Sequence, residues 1–500
     1  MEMIGQVFTG FQVALQPANL LYCFIGVLLG TLIGVLPGIG PVATISILLP
    51  ITFKITPVSA IIMLAGIYYG AQYGGSTTSI LLNIPGEATS VVTTLDGYQM
   101  ARQGRAGPAL GMAAFGSFIA GSICLLAMTF LAKPFASLGL LFGPPEYFAL
   151  MILAMVILIY LAQGSLLKAL ISALFGLALT FVGTDNQTGS LRFTFGQMYL
   201  ADGFDLVPLI MGLFGLSEVL LNVEQELTQD VLNTKIVNLF PTVADWIRCK
   251  WAILRGTVIG FLLGILPGAG PVISTFVAYS LEKKISKHPE QFGSGVIEGV
   301  AAPESANNAS AQGAFIPLFS LGIPPNVTMA ILFGALMIHG LQPGPLLIKD
   351  HPDFFWGVVT SMYVGNVMLL VLNLPLIPLW VKVLKIPYPI LFPMIVLFCV
   401  VGAYSLNNSS IDILVMTCFG VIGYLMKKLE YEAAPMIMGF VLGPILETSF
   451  RRSLVMSGGS LGIFVSRPIA VGIIVLAASL LAISLFSNLR TVRPKTDEVI

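Results

Sequence analysis

The chain has 500 residues, of which 56% are hydrophobic and only 10% charged. Soluble domains carry about 25% charged and roughly 45–50% apolar residues, so a water-soluble fold is excluded and lipid is the natural solvent. The 24 Lys and Arg balance 24 Asp and Glu, which leaves no basic excess for nucleic acid and no acidic tail. Fifty-two Gly and 31 Pro fall inside apolar runs without a collagen-like period. Membrane helices tolerate both, because neighbouring helices satisfy the backbone groups they free, so a disordered or fibrous reading fails. The five Cys are scattered singly and the three His lie far apart, so neither a disulfide nor a resident metal is expected. The N-terminal segment lacks the basic region and cleavage site of a signal peptide, and insertion is expected to rely on the first spanning helix.

A membrane-spanning helix needs about 20 mostly apolar residues. In chain order the candidates are 18–36, 57–69, 108–131, 145–162, 166–182, 205–222, 256–266, 354–376, 388–404, 411–426, 433–446 and 468–486, several too short to cross alone. The first ends at PGIGP (37–41), which interrupts an apolar run reaching towards Phe53. Two prolines and two glycines in five residues cannot stay helical, so the helix is expected to break at membrane depth.

The break recurs. GTLIGVLPGIGP (30–41) matches GFLLGILPGAGP (260–271) at eight of twelve positions, 230 residues apart. NIPG (83–86) resembles GIPP (322–325), and PLIMG (208–212) resembles PMIMG (435–439), in the same order. The sequence thus predicts an all-α polytopic membrane protein of two repeated, inverted halves, 1–222 and 256–500, with broken helices and re-entrant hairpins. The polar stretch 223–255 between them reads as a solvated connector, although Phe240, Trp246, Ile247 and Trp251 would also let part of it lie along the membrane interface.

Broken backbone survives in hydrocarbon only where it is buried in protein or lines a polar cavity. Interrupted segments at corresponding places in two halves point to a secondary transporter's binding site; close helix crossing through small residues is the structural alternative. After each break comes a hydroxyl- and amide-rich stretch, a short apolar piece and an Ile-Pro turn: YYGAQYGGSTTS (68–79) before NIPGEATS (83–90), and EGVAAPESANNAS (298–310) before FIPLFSLGIPPNVT (315–328). The apolar piece reads as the first arm of a re-entrant hairpin tipped by the Ile-Pro turn, and the polar stretch as an unwound helix facing that tip.

Helix N-termini at such tips suit an anion. The candidate substrate ligands are Ser76, Thr77, Thr78, Asn83, Pro85 and Gly86 in the first half, and Asn307, Asn308, Ser310, Pro324, Pro325, Asn326 and Thr328 in the second. Freed carbonyls at Gly38, Gly40, Gly268 and Gly270, with Glu304, are candidates for holding Na⁺ or H⁺. No Lys or Arg lies within these stretches, so a carboxylate would be held by amides, hydroxyls and co-bound cations. Ser, Thr and Asn bonding only across packed helices remains the alternative for any single residue.

The paired LPGIGP and LPGAGP segments, YYGAQYGGSTTSILLNIPGEA, APESANNASAQGAFIPL and LGIPPN resemble, across essentially the whole chain, the large membrane subunit of the tripartite tricarboxylate transporter family. The resemblance implies a multi-pass protein of the bacterial inner membrane, no cofactor, a small membrane subunit and a periplasmic solute-binding protein as partners, and Na⁺- or H⁺-coupled uptake of citrate-like carboxylates without ATP. No GxxxxGK[ST] loop is present, so an ATP motor would need another chain. By analogy with re-entrant-hairpin transporters, an elevator-like movement against a scaffold of 108–131, 145–182 and the segments after Phe354 is expected. A carboxylate channel is the alternative. An intramembrane enzyme would need a nucleophile with a base or a metal cluster, and an assembly subunit would have no need of two buried polar stretches.

Overall fold

The computed structural model describes residues 2–36, 40–160, 165–185, 187–224, 238–268, 270–383 and 388–491. In chain order the first helices are α1 (Glu2–Ala14), α2 (Pro17–Val35), α3 (Gly40–Thr52), α4 (Pro57–Leu82), α5 (Val91–Arg102), α6 (Ala106–Gly139), α7 (Pro144–Tyr160) and α8 (Leu166–Leu179). A two-stranded hairpin, β1 (Gly183–Thr184) and β2 (Leu191–Arg192), precedes α9 (Leu206–Ile210), a π-helical turn (Met211–Leu216) and α10 (Ser217–Glu224). Then follow α11 (Val243–Ile265), α12 (Gly270–Ile285), α13 (Glu298–Gly313), α14 (Phe315–Leu321), α15 (Val327–Ile338), α16 (Pro345–Asp350), α17 (Pro352–Asn373) and α18 (Ile377–Val383). The last are α19 (Tyr388–Asn407), α20 (Ser410–Lys428), α21 (Ala433–Met456), α22 (Ile463–Ser466) and α23 (Pro468–Thr491). Among the described residues six spans are long and apolar enough to cross a membrane: Pro17–Val35, Ala106–Gly139, Leu206–Glu224, Pro352–Asn373, Ser410–Lys428 and Ala433–Met456. The protein is an all-α, multi-pass membrane protein.

The chain forms two compact units, one of Met1–Gly139 with Leu206–Tyr424, the other of Leu140–Asp205 with Leu425–Ile500. Each draws on both halves of the sequence. The segment 108–131 lies in α6, in the same unit as α4 and α13, whereas 145–182 belongs to the other. The proposed scaffold is therefore divided between the units. The connector residues 225–237 lie outside the described residues.

The first unit is organised by two glycine stripes. Gly26, Gly30 and Gly34 on α2 face Met63, Ile67 and Ala71 on α4, and Gly256, Gly260 and Gly264 on α11 face Ala302, Ala306 and Ser310 on α13. A Cβ at any of the six would overlap a backbone carbonyl oxygen opposite, so the helices pack backbone to backbone, the use to which membrane proteins put small residues four apart. In both pairs the numbers rise together, so the paired helices are parallel. The stripes are 230 residues apart and the faced positions 239 apart, the spacings of the two LPGxGP motifs and the two Ile-Pro turns. Between the layers the direction reverses: α13 and its continuation α14 meet α4 with Glu304 against Ser76 and Phe315 against Tyr68.

The helices break where the two PGxGP motifs demand it. α2 stops at Val35 and α3 starts at Gly40, and α11 stops at Ile265 and α12 starts at Gly270. Positive φ angles at Gly40 (64°), Gly268 (81°) and Gly270 (53°) explain the glycines. Each break is the apex of a helical hairpin. α2 begins level with α4, where the Ser59 hydroxyl donates to Asn19 Oδ1 at 2.5 Å, and α3 returns to that same end. At 1.5 Å per residue, α3 is about 20 Å long and α12 about 24 Å, less than the roughly 30 Å hydrocarbon core.

The polar stretches are not unwound. Residues 68–79 lie inside the 26-residue α4, and 298–310 lie inside α13. A helical backbone satisfies itself, and hydroxyls add bonds to the preceding turn, as Ser79 does to the Gly75 carbonyl at 3.0 Å. The short apolar piece of the first half is accordingly the end of α4, and that of the second half is α14, continuing α13 past Ala314.

In the second unit α21 crosses α8 through Gly176 and Gly439, each against the facing helix's backbone. The hairpin, in register Gly183↔Arg192, is fastened to α21 by charge: Arg451 holds Asp185 at 2.8 Å and Arg192 holds Glu447 at 2.7 Å. These groups line a polar cavity of about 250 Å³.

Candidate functional site

The chemistry of the first unit is concentrated where α4, α5, α6 and α13 meet. Glu304 is 1% exposed, and its carboxylate accepts from the Ser76 hydroxyl at 2.5 Å and from the Thr93 hydroxyl. No ion pair among the described residues includes Glu304. α6 supports α13 from behind: Asn308 donates to the Ser117 hydroxyl at 2.6 Å, and that hydroxyl donates to the Glu304 carbonyl at 3.4 Å. α17 ties α4 to α6, because Asn366 accepts from Tyr73 at 2.8 Å and donates to the Phe118 carbonyl at 3.0 Å.

Six of the ten buried side-chain polar atoms left without a hydrogen bond among the described residues are on α13. They are Ser305 Oγ, both amide atoms of Asn307, Asn308 Oδ1, Ser310 Oγ and Gln312 Oε1. Glu87 Oε1, after the first Ile-Pro turn, is another. Each such group costs about 1–3 kcal/mol, and native proteins bury few, so their concentration on one helix beside a buried carboxylate marks a place for a polar guest. Thr77 and Ser76 also line a cavity of about 10 Å³, the size of one water, with Tyr73, Ser117 and Asn373.

The structure distributes the remaining sequence candidates more widely. Thr78 donates to the Val35 carbonyl at 2.7 Å, satisfying an acceptor freed where α2 ends. Gly86 is buried where a Cβ would overlap the Gly34 carbonyl, so the first Ile-Pro turn, with Pro85 half-buried in it, sits on the α2 terminus. Asn83 is exposed and ends α4 in the left-handed conformation, at φ 59°. In the second half Pro324 and Pro325 are buried, and the Gly268 N–H donates to the Pro325 carbonyl at 2.7 Å, joining break to turn. Asn326 caps α15, accepting from Met329 N at 3.0 Å and donating to the Tyr68 hydroxyl at 3.2 Å; Thr328 is buried in the first turn of that helix. The carbonyls of Gly40 and Gly270 accept from Thr44 and Ser274 hydroxyls, both at 2.9 Å and again 230 residues apart. Gly38 lies outside the described residues.

Sequence reasoning missed Thr93 and the role of Asp96. Thr89, Thr93 and Asp96 follow i, i+4, i+7 spacing on the segment after the first turn and are all buried, a pattern that was there to be read. Asp96 accepts from Tyr279 Oη and from the N–H groups of Gly293, Gly295 and Val296 at 2.8–2.9 Å, so α5 is anchored to the loop before α13. Thr93 is thereby held against Glu304.

The chain matches the model of the tripartite tricarboxylate transporter TctA family over residues 20–438. It is 51% identical over 495 residues, 99% of both chains, to an Agrobacterium vitis protein described as an uncharacterized 52.8 kDa protein in the TAR-I ttuC' 3' region. It is 48% identical over 240 residues to a second Agrobacterium vitis protein, uncharacterized, in the TAR-II ttuC' 3' region, covering 48% of this chain and 98% of that one. No solved structure matches. A match over so much of a chain with these paired breaks leaves one assignment: the protein belongs to the TctA family of tripartite tricarboxylate transporters.

Proposed function

We propose that this protein is the large membrane subunit of a secondary-active system that takes up citrate-like carboxylates across the bacterial inner membrane, coupled to Na⁺ or H⁺. A periplasmic solute-binding protein would supply the solute, and a small membrane subunit would complete the assembly. The observation that carries this reading is the Asn307 amide, 0% exposed with neither atom hydrogen-bonded, one turn from a carboxylate held only by hydroxyls. Asn307 Nδ2 suits a carboxylate oxygen, and its Oδ1, with Glu304, Ser76 and Thr93, suits a hard cation. The site has no fixed positive charge to neutralise a carboxylate, so the accompanying cations must do so. Coupling follows: solute without cations adds its negative charge to that of Glu304 and leaves it buried and uncompensated.

The test is uptake into proteoliposomes with both partner subunits, comparing a panel of di- and tricarboxylates under imposed Na⁺ and pH gradients. Saturable uptake driven by one of the gradients, and abolished in Asn307→Ala while membrane insertion persists, is the expected result. Gradient-independent, non-saturating flux would mean a channel.

A further inference from the structure

The two ends of the first unit differ in charge. At one end the turn between α5 and α6, the start of α11 and the loop between α12 and α13 are joined by Arg105–Asp245 and Arg248–Glu298 pairs, both 2.9 Å, and by Gln103 donating to the Ser294 carbonyl at 2.7 Å. This end carries Arg102, Arg105, Arg248, Lys250, Arg255, Lys283, Lys284 and Lys287. The opposite end, where α4 begins and α6 finishes, carries Lys54, Lys133 and Lys349. The excess is uncompensated: Arg102, Lys250, Lys283, Lys284 and Lys287 are exposed and make no ion pair among the described residues.

Beside these charges runs an apolar face. On α11 Val243, Ile247, Trp251, Leu254, Val258 and Leu262 are all exposed at helical spacing, Trp251 at 56% within the first turns. A lipid-facing stripe that carries an indole beside a crown of free ammonium groups matches the boundary between hydrocarbon and anionic headgroups, and Lys/Arg bias of this kind marks cytoplasmic ends.

We propose that this end of the unit is a binding surface for anionic phospholipid headgroups of the cytoplasmic leaflet, so that residues 102–105, 239–250 and 283–298 face the cytoplasm. The end where α4 begins then faces the compartment from which solute arrives. The inference rests on the inner-membrane reading above, and co-sedimentation of the full-length protein with inner-membrane markers tests that reading separately.

Orientation is read with single cysteines in a Cys418→Ser background, since the other four cysteines are buried. A membrane-impermeant maleimide should label Ser286→Cys only in inside-out vesicles and Lys349→Cys only in right-side-out ones; the reverse pattern overturns the proposal. For the lipid, the purified protein is melted in nanodiscs of phosphatidylcholine with and without phosphatidylglycerol. Phosphatidylglycerol should raise the midpoint by several degrees, and Lys283→Gln/Lys284→Gln/Lys287→Gln should lose most of that rise while keeping the wild-type midpoint in phosphatidylcholine. An equal rise in the triple variant, or the same rise from inorganic phosphate alone, would overturn the headgroup site.

Discussion

Thr93→Val and Ser76→Ala each remove one of the two hydroxyls that donate to Glu304. Valine keeps nearly the shape of threonine, so the change at Thr93 is chiefly the lost bond. A hydrogen bond to a charged group contributes about 1.5–3 kcal/mol. With about 1.4 kcal/mol to each factor of ten, either substitution should shift the half-saturating concentration of the coupling ion about 10- to 150-fold, upward where Na⁺ is that ion. The two oxygens are held by separate hydroxyls on separate helices but share one carboxylate, so the double variant should depart from additivity. The assay is initial uptake rate against ion concentration at saturating carboxylate, with the amount of inserted protein measured in parallel. If both single variants keep the wild-type ion dependence within about twofold, Glu304 is not where the ion is held.

Other expectations concern the frame. Gly30→Ala and Gly260→Ala put a methyl into corresponding backbone contacts, so both should lower the melting midpoint in detergent by amounts set by overpacking, about 1–3 kcal/mol; a neutral substitution at either would contradict the close approach. Asp185, in the hairpin outside the spanning helices, accepts the Gln187 and Thr188 N–H groups and pairs with Arg451, which holds its carboxyl down at about 2. A depressed carboxyl stabilises the fold above its ordinary value near 4 and loses that contribution as pH falls through about 2. Acid unfolding between pH 4 and 2 should therefore be less steep in Asp185→Asn, and an unchanged profile would show that the cluster carries no net stabilisation.

Much of the site was legible because backbone chemistry is written locally. PGIGP and PGAGP cannot be helical, and their recurrence located both breaks without any tertiary information, although the hairpin tips were expected at the Ile-Pro turns and lie at the breaks instead. Asn307 and Glu304 stood out as polar groups between apolar spans. What escaped depended on which helix lies opposite. The polar stretch 68–79 reads in sequence as an unwound helix, yet it stays helical because Gly70 and Gly74 lie against α2 and its hydroxyls find partners on neighbouring turns and helices. Asn308, one residue from Asn307, is rotated towards Ser117 on α6 and makes an interhelical bond. Asn83 has the composition of a ligand but the position of a helix terminator, where asparagine's tolerance of the left-handed conformation is what matters. The joining of 140–205 to 425–500 in one unit is a long-range association with no local signature.

Equilibrium binding of labelled citrate to the protein in nanodiscs, with and without Na⁺ and across a range of pH, tests the central claim most directly, because it isolates the site from partner subunits and gradients. Saturable binding that needs the coupling cation, is lost in Asn307→Ala and is retained in Thr448→Ala, which lines the separate polar cavity of the second unit, is the predicted result. Binding of equal strength in Asn307→Ala, or binding indifferent to both cations, would contradict it.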